Sequence, residues 1–135
     1  LKPGCRISIL CAIAVLLLAC GAPEMRELAG TYEAEFSFGV GRIKLLEDGR
    51  YEQELRIAGT REIVSHAGRW EYAPERDLVI LRNPLVFDDN FGSLNPNYRM
   101  AARGSWNLTV ESLLPPISLS WNPDLGIEFE RVGEE

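Results

Sequence analysis

Apolar and polar side chains alternate along most of this chain in short runs, and this pattern decides its fold class. Tyr32, Ala34 and Phe36 alternate with polar residues, and Ile43 and Leu45 alternate with basic ones. A period of two is typical of a β-strand that buries one face. Because such runs fill nearly the whole chain, the sequence predicts an all-β fold.

Residues that favour turns separate these runs. Asp48-Gly49 is the strongest hairpin signal, Gly39–Gly41 predicts a turn before it, and Asn83-Pro84 predicts a bend. A single helical turn is predicted at 24–28, and late strands are predicted near 98–102, 105–110, 117–121 and 127–132. Eight to ten short strands indicate a small antiparallel meander barrel, or alternatively an open curved sheet or sandwich.

Three motifs follow an order that resembles the bacterial lipocalin-like domains: Gly30–Tyr32, Ile43–Tyr51 and Gly68–Tyr72. In that family an opening Gly-x-Tyr strand, a hairpin with Asp-Gly and an aromatic residue, and a Gly-x-Trp strand build a small barrel. The resemblance covers residues 30–81 and implies a lipocalin-like meander barrel. The second half departs from the pattern, so the open sheet remains the alternative.

The first residues form a segment of a different kind. Lys2 and Arg6 precede thirteen uncharged residues, Ile7–Ala19. A membrane-spanning helix needs about 20 apolar residues, whereas the apolar core of a secretory signal needs roughly 7 to 15. The sequence therefore predicts a signal helix over residues 1–19 that is cleaved from the protein.

The run Leu17–Cys20 places apolar residues and a small residue directly before a cysteine. It resembles the lipobox of bacterial lipoproteins, which implies that Cys20 carries a lipid such as palmitate and becomes the first mature residue. Residues 20–29 would then be a tether, and residues 30–135 a single domain. The resemblance implies a place in the cell envelope, with the protein bound to the membrane through Cys20. Because Gly21 rather than Asp follows, it further implies the outer membrane, facing the periplasm, in a Gram-negative cell.

The cysteine and charge content of the sequence limits the kinds of site and partner that the predicted domain can have. Cys5 and Cys11 fall in the predicted leader and Cys20 in the lipobox, so the predicted domain has no thiol for a disulfide or a metal. The net charge is −6, and the leader holds two of the basic residues. An acidic surface repels nucleic acid, which argues against such a partner.

Aromatic side chains fall mostly on the apolar phase of the predicted strands. In a barrel of about eight strands they can line a cavity for one small ligand, or they can fill the core. The residues predicted for such a cavity are Tyr32, Phe36, Tyr51, His66, Trp70 and Tyr72.

No catalytic or metal-binding constellation is recognisable. His66 is the only histidine, it lies in phase with Trp70, and no nucleophile can be assigned to it. The segment Asp88–Asn97 is rich in oxygen ligands but lacks the spacing of a calcium loop, so its Asp and Asn residues are interpreted as turn caps of an exposed loop. No metal, cofactor or catalytic residue is expected.

Carboxylates on two predicted strands lie on the polar phase and are interpreted as a solvated outer face. Three basic residues are expected to oppose them as cross-strand partners. The acidic set is Glu33, Glu35, Glu52 and Glu54, and the basic set is Arg42, Lys44 and Arg56.

Three functions follow as hypotheses, of which an enzyme is the least favoured because no catalytic constellation supports it. The first is a non-catalytic module that binds another envelope protein through an edge strand or through the loop 88–97. The second is a carrier or sensor of a small apolar ligand, with Trp70 and Tyr72 in the cavity wall. An internal cavity of a few hundred cubic ångströms would favour the carrier, and a filled core would favour the interaction module.

Overall fold

A computed structural model describes residues 24–111 and 116–133, without the side chains of residues 122 and 123. The predicted leader, the lipobox and Cys20 lie outside these residues. One short helix, α1 (Met25–Leu28), precedes eight strands. The strands are β1 (Gly30–Phe36), β2 (Gly39–Leu45), β3 (Arg50–Ile57), β4 (Ile63–Ala73), β5 (Leu78–Arg82), β6 (Ser105–Val110), β7 (Ser118–Asn122) and β8 (Ile127–Val132).

The eight strands form a closed antiparallel barrel in sequence order. Each strand pairs with the next, and β1 pairs with β8 from Thr31 opposite Val132 to Glu33 opposite Glu130. Closure removes the two free edges that an open sheet would have. The prediction of a small meander barrel is therefore confirmed, and the open alternative is not.

Alternate residues of the strands point into the barrel and form one core. In β1, Tyr32 is fully buried and Ala34 nearly so, while Glu35 between Ala34 and Phe36 is exposed. The largest fully buried side chains share this inward phase or come from the segment after β5: Trp106, Tyr32, Tyr51, Phe87 and Phe129. Their burial supplies the main stabilisation of a domain without disulfides.

Helix α1 covers one end of the barrel. Leu28, the last residue of α1, is fully buried, and the Tyr32 hydroxyl donates a hydrogen bond to its carbonyl at 2.6 Å. From β8, the Arg131 guanidinium donates to the carbonyls of Glu27 and Ala29. We call this the helix end, and we call the opposite end, where β1–β2, β3–β4 and β7–β8 connect, the loop end.

The first turn lies earlier than predicted. The chain reverses at Ser37 and Phe38, so Gly39 and Gly41 belong to β2. A Cβ atom at Gly41 would lie 2.8 Å from the Phe87 ring. Gly41 is therefore required for close packing of this ring and not for a turn.

Residues 83–104, which connect β5 to β6, contain no strand. The segment near 98–102 was predicted as a strand, but it forms turns, in which the Met100 amide donates to the Asn97 carbonyl at 2.9 Å. The alternation of Tyr98 and Met100 resembles that of a strand, yet only Tyr98 is buried and Met100 is exposed. We call residues 83–104 the plug loop because its first part enters the barrel.

Candidate functional site

The side chains predicted to line a cavity lie on the inner phase of their strands, where several are tied to the backbone. The Tyr51 hydroxyl donates to the Arg82 carbonyl at 2.7 Å, and the Trp70 indole donates to the Leu46 carbonyl at 2.8 Å. Tyr32 bonds to the backbone of α1 in the same way. Their polar atoms are thus used within the fold.

The other aromatic residues of the predicted set pack against core rings. Phe36 stacks on Phe38 with ring centroids 4.9 Å apart and meets Phe87 edge to face at 6.0 Å. Tyr72 is partly buried against the core. Burial and the nearby Asp77 carboxylate raise the pKa of Tyr72. The structure thus places the rings within or against a packed core.

The plug loop occupies part of the barrel interior. Gln53 is 2% exposed, and its side-chain amide donates to the Leu85 carbonyl at 2.9 Å. The Leu85 amide donates back to the Gln53 side-chain oxygen at 2.8 Å. The Gln53 side chain thus makes the pair of hydrogen bonds that a neighbouring strand would make, and it holds Leu85 inside the barrel. Two residues later, the Phe87 ring packs against the Trp106 ring with their centroids 5.6 Å apart.

Asp88 differs from the interpretation made from the sequence. It was placed in an exposed loop, but it is 1% exposed and accepts a hydrogen bond from the Trp121 indole at 2.5 Å. The turn-cap interpretation is confirmed for Asp88, Asp89 and Asn95, which accept hydrogen bonds from the amides of Asn90, Phe91 and Asn97, respectively. Asp88 therefore anchors the plug loop to β7.

His66 lies on the inner side of β4, half-buried beside Tyr51. Its Nε2 atom is 2.9 Å from the Asn83 carbonyl oxygen. Since a carbonyl only accepts, Nε2 carries the proton in this contact. The contact joins β4 to the start of the plug loop and gives His66 a structural partner.

Burial sets the ionisation of the core tyrosines. It raises the pKa of Tyr51 to about 12. Burial also raises the pKa of Tyr32, although the neighbouring Arg131 charge opposes this effect. The pKa of Tyr98 is raised by desolvation and by its hydrogen bond to the Glu62 carboxylate. Each hydroxyl stays protonated at neutral pH and donates a hydrogen bond.

The carboxylates of β1 and β3 face outward as predicted. Glu33 pairs with Arg42 across the β1–β2 ladder at 2.5 Å, and Glu54 pairs with Arg56 on the same strand at 2.7 Å. Glu33, Arg42 and Glu54 line a groove of about 1050 Å³ on the outer surface of β1–β4. Such partly exposed ion pairs contribute little to stability and suit a solvated face.

A second groove lies where β5 leaves β4. Strand β4 has eleven residues, but β5 pairs only with Trp70–Ala73. At Asn83 the backbone takes a positive φ of 48°, and the chain bends into the barrel. The resulting cleft of about 710 Å³ is lined by His66–Glu71, by Arg82 and Asn83, and by Met25 and residues 47–49 near the helix end. We call it the edge cleft.

Large exposed apolar side chains belong to connections or strand ends on the side away from α1. Ile63 at the start of β4 is 56% exposed, and Phe91 and Met100 of the plug loop are 85% and 68% exposed. Leu125 follows β7 in the last connection and is also exposed. The helix end carries no comparable side chain among the described residues.

The sequence analysis did not identify Gln53, and it did not predict that Asp88 is buried. Gln53 stands between Tyr51 and Leu55 on the inward phase of β3. A polar side chain at such a position signals a buried partner, because an unpaired buried amide is costly. Asp88 gives no such signal, since it lies outside any regular pattern.

Within residues 24–111 and 116–133, no three His, Cys, Asp or Glu side chains are placed to share a metal ion. Nor does any helix described there have the length and apolar character needed to cross a membrane.

Comparison with known proteins does not assign this chain to a family. No protein-family model, no curated protein and no solved structure matches it.

Proposed function

We propose that this protein is a lipoprotein of the bacterial cell envelope whose barrel is a non-catalytic interaction module for a partner protein. The anchor in this proposal is a lipid on Cys20, and it is supported by the lipobox-like run Leu17–Cys20 after a short apolar leader. The barrel follows the tether and remains outside the lipid.

The observation that carries the interaction role is the filled interior. Tyr51, Trp106 and Phe129 occupy the barrel together with Leu85 and Phe87 of the plug loop. A carrier needs an apolar cavity that a ligand can enter. Because the chain itself fills this space, its outer surface is favoured for binding.

The position of the tether supports an outward-facing loop end. The described part of the tether, residues 24–29, contains α1, which covers the helix end. An anchor on Cys20 therefore places the helix end toward the membrane and the loop end toward the periplasm. Phe91, with 85% of its surface exposed, then faces the space in which a partner is met.

Substitution of the lipid attachment residue tests the anchor. Cys20→Ala should abolish incorporation of labelled palmitate and move the protein from the membrane fraction to the soluble fraction. Cys11→Ala is the matched control, because it removes a thiol from the leader and leaves the lipobox intact. Equal palmitate labelling of the wild type and Cys20→Ala would refute the lipoprotein assignment.

An apolar fluorescent dye distinguishes the interaction module from the carrier. We expect N-phenylnaphthylamine to show no saturable fluorescence gain with the wild type. Phe87→Ala is the positive control, because it vacates apolar volume next to Trp106 and should give a binding signal if the variant remains folded. Stoichiometric dye binding by the wild type would overturn the interaction role and support the carrier.

A further inference from the structure

The free edge of β4, which leads into the edge cleft, has a defined hydrogen-bonding pattern. The Trp70 amide donates to the Gly49 carbonyl, and the Ile57 amide donates to the Glu62 carbonyl. Both bonds place the even-numbered residues of β4 in hydrogen-bonded pairs with β3. In an antiparallel ladder, the odd-numbered residues then direct their N–H and C=O groups away from β3.

Strand β5 satisfies only part of this edge. Its pairs extend from Ala73 opposite Leu78 to Trp70 opposite Leu81, and no pair includes Arg69 or an earlier residue. In this register Arg69 lies opposite Arg82, the last residue of β5. Among the described residues, no strand pairs with this side of Ile63, Ser65 or Ala67. The barrel is closed, but the first half of β4 lacks a strand partner on this side.

This edge lacks the features that usually protect an exposed strand. Native edges are protected by charged side chains, proline or a bulge. The six residues from Ile63 to Gly68 include no charged residue and no proline, and their ladder with β3 is regular. The outward side chains of Ser65 and Ala67 are small and exposed, so they leave the backbone accessible.

We propose that the free edge of β4, which leads from Ile63 to the edge cleft, binds one extended segment of the partner protein, which adds to β4 as a strand in place of the missing continuation of β5. This proposal rests on the interaction role proposed above and names the surface that performs it. Main-chain hydrogen bonds to the free edge would supply affinity, as in other cases of strand addition. The side chains at the two ends of the edge would supply selectivity.

Charge and hydrophobicity along the edge define the segment. Arg69 is exposed just beyond one end of the free edge, so the segment residue that lies nearest to it should be Asp or Glu. Ile63 is exposed at the other end, and the adjacent Glu62 forms an ion pair with Arg99 of the plug loop at 2.6 Å. The residue opposite Ile63 should be apolar. The partner segment is thus an acidic residue followed, in antiparallel orientation, by small or β-branched residues and an apolar one.

A labelled peptide provides the test, with the full chain purified in detergent. The probe is the fluorescein-labelled peptide Glu-Val-Thr-Val-Thr-Val-Ile, which is long enough to pair with the free edge and to extend its Glu toward Arg69. We expect saturable binding by fluorescence anisotropy. Hydrogen exchange should show new protection at the amides of Ser65 and Ala67. No binding at about 1 mM probe would overturn the proposal.

Variants of Ala67 separate strand addition from other contacts. Ala67→Pro removes an N–H that points into the cleft and should weaken probe binding by about tenfold or more, whereas Ala67→Ser should leave binding unchanged. Arg69→Glu should reverse the preference between the probe and a version with Lys in place of Glu. Unchanged binding by a folded Ala67→Pro variant would refute the proposal.

The remaining outcomes are also decisive. If Ala67→Pro fails to fold, the exchange pattern of the wild type decides, because protection outside residues 63–69 would place the peptide elsewhere. Failure at the edge leaves the proposed function in place, since the Cys20 and dye experiments do not involve β4. Dye binding by the wild type would instead refute the proposed interaction role, whether or not the peptide binds to β4.

Discussion

Single polar side chains position the irregular part of this barrel. Gln53 makes two hydrogen bonds to Leu85, and Asp88 accepts one from Trp121, both at sites almost closed to solvent. A buried polar group without a partner costs about 1 to 3 kcal/mol, so these residues discriminate strongly between the correct and incorrect placement of the plug loop. Their role is to select one path for a segment without regular structure.

Tyr51 makes the stability of the protein sensitive to alkaline pH. Its pKa is about 12 in the folded protein, above the value of about 10 expected for an unfolded chain. The stabilisation linked to this shift is present below pH 10 and is lost as the pH rises toward 12. We expect the free energy of unfolding, measured with urea, to fall steeply in that range.

Tyr51→Phe tests this assignment. The variant should lose about 1 kcal/mol near neutral pH, because the Arg82 carbonyl loses its donor, and its stability should fall less between pH 10 and pH 12. Tyr32→Phe is a comparison variant, since Tyr32 also has a raised pKa and would retain the Tyr51 effect. Identical alkaline profiles for the wild type and Tyr51→Phe would contradict the assignment.

At the scale of elements, the sequence predicted strands correctly where a run of alternating apolar and polar residues also pairs with a neighbouring strand. The boundaries of β3, β6 and β8 follow the alternating runs closely, and α1 lies at the predicted helical turn. The prediction failed at 98–102, where alternation of side chains is unrelated to pairing, because Tyr98 is held by the Glu62 carboxylate. Local periodicity cannot show that a side-chain contact 36 residues away determines the conformation.

Strand β4 offers a direct test of the inward phase. Trp70 is 2% exposed, so Trp70→Ala should lower the free energy of unfolding by roughly 3 to 5 kcal/mol. The neighbouring Arg69 points outward, and Arg69→Ala should change stability by less than about 0.5 kcal/mol. Chemical denaturation of both variants provides the measurement. A loss below about 1 kcal/mol for Trp70→Ala would show that the phase is wrong.

At the scale of the whole molecule, closure and filling of the barrel follow from different parts of the sequence. The meander order was predictable, because hairpin signals such as Asp48-Gly49 join neighbouring strands. The opening beside β4 was not, because it depends on the bend at Asn83 and on the capture of Leu85 by Gln53. The residues predicted to line a cavity do face the barrel interior. The alternation of the sequence alone, however, does not show whether inward side chains leave a cavity or fill it.

The plug loop can also be regarded as a ligand that is covalently attached to its own receptor. A segment on a short flexible connection is present at an effective concentration of order millimolar. Any free molecule that enters the barrel must compete with Leu85 and Phe87 at that concentration, in addition to gaining its own contacts. Selectivity against adventitious hydrophobic molecules is therefore encoded in the chain, and it lasts as long as residues 83–104 remain docked.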